Sequence, residues 1–158
     1  MPPVYWTVIP IPKRYPYLTH NCHGDTFYYP DLAAMEKTIE FWDRSYQKRH
    51  FVRWIIIDRS FEALIGTVEM FQRLAADEFN HFGVLRFDLQ SEYEKQEYIE
   101  AILAIANEHF YSDFAVESIL TKAIPAATER ILALKNQGYV PLKRQFMICD
   151  DYFMRKQI

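Results

Sequence analysis

Apolar positions recur along this chain with two periods, and each change of period marks a new element. Leu32, Met35, Ile39, Trp42 and Tyr46 are spaced by three and four residues, which predicts a helix over 31–49 with one apolar face. Asp31 stands at its N-cap position, Glu36 lies near its start, and Lys48-Arg49 sits at its end, as the helix dipole favours. Phe51–Asp58 is a continuous apolar run centred on Trp54-Ile55-Ile56-Ile57, expected as a strand buried on both faces. Leu64–Arg73 follows after a short turn and predicts an antiparallel hairpin. Residues 74–81 read as a connection and Gly83–Gln90 as a third strand.

Ser91 is expected to open a helix running to about Phe110, with Ile99, Ile102, Ala106 and Phe110 on one side. Ser91-Glu92-Tyr93-Glu94 reads as a capping box, in which the Ser91 hydroxyl and the Glu94 carboxylate bond each other's backbone amides. Ser118–Ala123 predicts a strand. Pro125 suits the first turn of another helix carrying Ala127, Ile131 and Leu134 inward, and Gly138 suits its C′ position. Tyr139–Lys156 reads as one or two strands with a turn at Asp150-Asp151. Ahead of these, Tyr5–Ile9 reads as a short strand ended by Pro10, and 13–30 as loop. The whole of 1–158 is expected to be one α/β domain of the α+β kind, with no repeat and no linker.

Composition alters this picture in a few respects. Aromatic residues make up 16% of the chain, enough either to fill a core or to line a cleft. Tyr15, Tyr17, Phe27, Tyr28 and Tyr29 allow both readings. The net charge of −3 offers no broad field for phosphates, which argues against nucleic acid as a partner. No apolar run approaches a bilayer span, and Met1–Thr19 is broken by five prolines, so a cytoplasmic protein with reduced thiols is expected. The two cysteines, Cys22 and Cys149, lack metal spacing. His20-Asn21-Cys22-His23-Gly24-Asp25 gathers potential ligands but matches no zinc pattern, and no metal is expected. Lys122 and Arg130 read as solvated surface charges.

The order strand, helix, three antiparallel strands, helix, strand, helix, strands, together with several local runs, resembles the GNAT superfamily of acyl-CoA N-acyltransferases. Those runs are Phe51–Ile57, Leu64-Ile65-Gly66-Thr67-Val68, Leu85-Arg86-Phe87-Asp88-Leu89 and Ala133-Leu134-Lys135-Asn136-Gln137-Gly138-Tyr139. The likeness is nearest to the ribosomal-protein-acetylating branch. It implies a mixed, mostly antiparallel sheet flanked by helices, in which two neighbouring strands splay apart to admit the pantetheine arm of acetyl-CoA. The pyrophosphate would rest on amides at the next helix N-terminus. An acceptor amine, on a small molecule or a protein, would attack the thioester with help from a base. On this basis Phe87, Asp88 and Leu89 would face pantetheine, and Lys95, Gln96, Glu97, Tyr98 and Ile99 the phosphates. Glu69 would be the base, against the plainer reading of an exposed strand position.

At the phosphate loop the chain departs from that family. The family has Gln or Arg, two residues, Gly, one residue, then Gly or Ala; this chain has Glu94, Glu97 and Ile99 there. Glu92, Glu94 and Glu97 place three carboxylates where a dianion would sit, and the capping box would satisfy the helix end instead. Ala127 and Leu134 stand where the family often has Asn and a proton-donating Tyr. A second expectation therefore stands beside the enzyme: a GNAT-fold binding or regulatory protein that does not use acetyl-CoA.

Overall fold

The computed structural model describes residues 31–48 and 50–157. The expected strand at Tyr5–Ile9, the loop after it, the His20–Asp25 cluster and the aromatic residues from Tyr15 to Tyr29 lie outside the described residues. The described elements are α1 (Leu32–Gln47), β1 (Phe51–Asp58), β2 (Ala63–Gln72), β3 (Gly83–Leu89), α2 (Gln96–Asp113), β4 (Ser118–Lys122), α3 (Thr128–Asn136), β5 (Val140–Pro141) and β6 (Tyr152–Lys156). The strands form one sheet in the order β1-β2-β3-β4-β6-β5. Its pairs are antiparallel except β3 with β4. This is the mixed, mostly antiparallel α+β sheet that the element order implies.

Local chemistry explains most of the boundaries. Asp31 caps α1, its carboxylate accepting from the Ala34 amide at 2.8 Å. Gly138 ends α3 at φ +80°, with its amide bonded to the Lys135 carbonyl and that of Tyr139 to Leu134, a full Schellman closure. The end of α2 closes the same way on Ala115, at φ +50°, where a side chain is less welcome than in glycine. On β2, the register slips opposite Ile56/Ile57, so Ile65 and Val68 reach the same core although their numbers differ in parity.

The main core lies between one sheet face and the helices α2 and α3. It joins Val68, Met70, Leu85, Phe87 and Ile119 with Ile99, Leu103, Ala106 and Phe110 of α2 and Ala133 and Leu134 of α3. The opposite face carries a smaller cluster of Phe79, Val84, Leu120, Phe146 and Tyr152.

Several expectations are corrected. β1 is outermost in the described sheet, and only Val52 along it is fully buried, so its apolar run belongs to a half-covered edge rather than an interior strand. The helix expected over 31–49 is present as α1, though none of its residues is fully buried. Ser91 does not open the long helix: Ser91–Tyr93 forms a 3₁₀ turn, and α2 starts at Gln96. The last turn falls at Met147-Ile148, not at Asp150-Asp151, and is closed by reciprocal bonds between Phe146 and Cys149.

Candidate functional site

β3 and β4 run parallel but pair only at Gly83–Ile119 and Val84–Leu120. Beyond those two steps, β3 continues to Leu89 against β2, while β4 continues to Lys122 against β6. The two strands therefore part company, leaving a gap between them that opens toward the start of α2.

Arg130 of α3 fills that gap. Its side chain is 1% exposed, and its guanidinium donates to the Phe87 carbonyl at 2.9 Å while lying 4.0 Å above the Phe87 ring. Glu94 meets it from the far side with both oxygens: Nε donates to Oε1 at 2.6 Å and Nη2 to Oε2 at 2.9 Å. The Glu94 side chain is 6% exposed. This is a two-pronged, water-poor ion pair of the strong kind.

The pair overturns two sequence expectations. Arg130 is not a solvated surface charge, because the helical period that carries Ala127 and Leu134 inward carries Arg130 inward as well. Nor does Glu94 complete a capping box: its carboxylate goes to Arg130, and its amide bonds the Ser91 carbonyl at 3.3 Å. A buried guanidinium left without a counter-charge costs more than a missing helix cap, so the ion pair wins the carboxylate. The cap comes from elsewhere. Lys95 occupies the N-cap of α2 without a side-chain bond, and the Gln96 amide donates to Glu129 of α3 at 3.0 Å.

The other sequence-predicted residues lie on β3 and at the start of α2. Phe87 and Leu89 are buried and Asp88 half-buried on the diverging strand. Lys95 and Glu97 are exposed, and the Gln96 side chain is turned to Glu100 at 2.7 Å. The Tyr98 hydroxyl donates to Asp58 at 3.3 Å; burial, foremost, and the nearby carboxylate raise its pKa. Ile99 is wholly buried in the core, and its amide is spent on the Lys95 carbonyl.

Glu69 lies on the other face of the sheet and is 6% exposed, not an exposed strand position. In register it stands between Arg53 on β1 and Arg86 on β3. Arg53 donates to its Oε2 through Nε at 2.9 Å and also through Nη2. Arg86 Nε stands 3.0 Å from Oε1, close enough to pair in charge although its N–H is not aligned for a hydrogen bond. Arg53 also stacks on Trp42 of α1 at 4.0 Å, so the trio ties α1 to the sheet. Both Glu69 oxygens thus face cations.

At the two positions where the GNAT pattern has Asn and Tyr, Ala127 and Leu134 are both buried. Tyr139 is core, with its hydroxyl donating to Asn107 at 2.8 Å, and burial pushes its pKa far up. Among the described residues no group of three or more His, Cys, Asp or Glu could hold a metal ion. No described helix is long and apolar enough to cross a membrane.

No family model matches the chain, and no curated protein sequence matches it significantly. Solved structures do. The ribosomal-protein-S5-alanine acetyltransferase of Vibrio fischeri superposes with a TM-score of 0.62 at 14% identity, over 79% of this chain and 72% of that one. The spermidine/spermine N-acetyltransferase SpeG of Vibrio cholerae gives 0.59 at 11% identity, over 87% and 86%. At such identities the likeness concerns the path of the backbone, and it agrees with the parting strands and the element order. The chain has the GNAT fold.

Proposed function

We propose that this protein is a GNAT-fold binding or regulatory module that does not use acetyl-CoA. The observation that carries this reading is the buried Glu94–Arg130 pair inside the gap between β3 and β4. The residues present do not fit the coenzyme. Arg130 holds the Phe87 carbonyl on the strand edge that pantetheine would need, and Glu129 already supplies an anion to the first amide of α2. Breaking a buried pair costs about 3–5 kcal/mol, which would weaken any ligand that requires the gap by at least about 10²-fold. The absent glycines and absent Tyr at position 134 point the same way.

A second reading is favoured by one observation, the parting of β3 and β4 itself. On it the protein is an N-acetyltransferase acting on a primary amine of a small molecule or protein. Phe87, Asp88 and Leu89 would then face pantetheine, Lys95 to Ile99 the phosphates, and Glu69 would serve as base. Taking a proton would require Glu69 to loosen from Arg53 or Arg86.

Thermal denaturation with millimolar acetyl-CoA separates the two. A ligand of the folded state raises the midpoint by mass action. We expect no shift, and no free thiol released across a panel of amines that includes spermidine. A saturable rise in midpoint would sink the first reading and restore the second.

A further inference from the structure

On the sheet face away from α2, β4 ends in a buried cation that the gap does not use. Lys122 is 7% exposed and shares its face with Leu120. Its ammonium donates to Cys149 Sγ at 3.4 Å and stands 3.6 Å from Asp151 Oδ1, outside hydrogen-bond reach. Among the described residues, Cys149 and Asp151 are the hydrogen-bond and ion-pair partners of this three-donor group. Asp151 Oδ1 is itself buried with no hydrogen bond. A buried ammonium, a thiol that accepts from it and a buried carboxylate oxygen without a hydrogen bond thus stand together.

Cys149 is held in place for this encounter. Its amide and carbonyl both bond Phe146, each at 3.0 Å. Between the two residues, Met147 and Ile148 lie at φ +49° and +62°, the tight reversal of a two-residue hairpin. The thiol is free and only half-buried, so a small oxidant can reach it. Lys122 has a flexible four-carbon stem, whereas Cys149 sits on a pinned backbone, so the amine is the partner that moves.

We propose that Lys122 and Cys149 are the two ends of a peroxide-driven covalent cross-link, an Sγ–Nζ sulfenamide. The Cys149 sulfur attacks one oxygen of hydrogen peroxide, the O–O bond breaks, and water leaves as the thiol becomes a sulfenic acid. Asp151 Oδ1 takes a proton from Nζ. The freed nitrogen lone pair attacks sulfur, the S–O bond breaks, the hydroxyl leaves as a second water with that proton, and the new S–N nitrogen releases its second proton through Asp151 to solvent. Sulfur is oxidised and peroxide reduced; the protein loses two hydrogens per peroxide and gains one S–N bond. The product joins the last residue of β4 to the chain that leads into β6, and the remaining N–H can turn to Asp151.

The test uses the chain with Cys22→Ser, since a Cys22–Cys149 disulfide would lose the same two hydrogens. After hydrogen peroxide, the intact mass is expected to fall by two hydrogens. Digestion should yield a joined peptide pair containing Lys122 and Cys149 that dithiothreitol separates. Lys122→Arg should give only sulfenic acid trapped by dimedone. Asp151→Asn should slow cross-linking on the order of 10²-fold while thiol consumption keeps its rate, and this variant decides if Lys122→Arg fails to fold. Dimedone-labelled Cys149 without the joined peptide in the Lys122 chain, or a thiol inert to peroxide, overturns the proposal.

Discussion

At the scale of single residues, charge buried in pairs is what distinguishes this molecule. Glu94 and Arg130 are 36 positions apart and form one unit, so their removal is expected to be far from additive. Glu94→Gln strips a buried guanidinium of its counter-charge and is expected to cost about 3–5 kcal/mol, with Arg130→Ala in the same range. The double variant should cost less than the two together by about 0.5–3 kcal/mol. Urea denaturation of the four proteins measures this, and strict additivity would mean that the pair contributes nothing specific. Arg130 had a legible signal: it lies three residues after Ala127 and four before Leu134, on the inward stripe of α3. Its partner had none, because the same four letters from Ser91 to Glu94 also spell a local cap. Glu69 and Lys122 were unreadable for a similar reason. Period-two alternation says which face a strand residue takes, but not whether that face is covered or by what.

At the scale of elements, closures and tethers set the boundaries. Ala115 terminates α2 in the left-handed region, which costs an alanine about 1 kcal/mol relative to glycine. Ala115→Gly should therefore raise stability by roughly that amount, or somewhat less because glycine also loosens the unfolded chain. A fall in the urea midpoint would show that the methyl group matters more than the strain. The α2–α3 contact has a polar latch: Glu100 Oε1 accepts from Gln96 Nε2 at 2.7 Å and from Asn136 Nδ2 at 2.8 Å. The Gln96 bond first, and the Asn136 bond second, hold the Glu100 carboxyl below its ordinary pKa against a smaller upward push from burial. A carboxylate depressed in the folded state adds stability above its unfolded value, and that contribution fades as pH falls through the lower folded value. Side-chain NMR titration should find Glu100 titrating late on acidification. In Asn136→Ala the curve should move back toward the ordinary range; an unmoved curve would mean that the latch does not act.

At the scale of the whole molecule, the sheet keeps the opening of its fold while its own side chains occupy it. The gap exists because β3 and β4 pair for two residues and then take other partners. Such geometry is set by the twist and partner choice of whole strands, and it persists when the residues lining it change. Occupancy is set by one arginine and one glutamate. Removing both, as Arg130→Ala with Glu94→Gln, is expected to let millimolar acetyl-CoA raise the melting midpoint where the parent chain shows no response. If the opened variant stays equally unresponsive, the pair is not what bars the coenzyme, and the absent glycines would have to carry that role alone.

Taken by itself, the sequence determined what short-range forces decide: the succession of helices and strands among the described residues, the Asp31 cap, the Gly138 closure, and the lack of glycine between β3 and α2. Each depends on neighbours within a few residues, where periodicity and backbone preference act directly. Tertiary structure alone decided which charges are buried and with whom. The partners of Glu94, Glu69 and Lys122 lie between 16 and 36 positions away. A carboxylate chooses between a local amide and a distant guanidinium by how much water each would lose, and that is known only once the chain has closed around both.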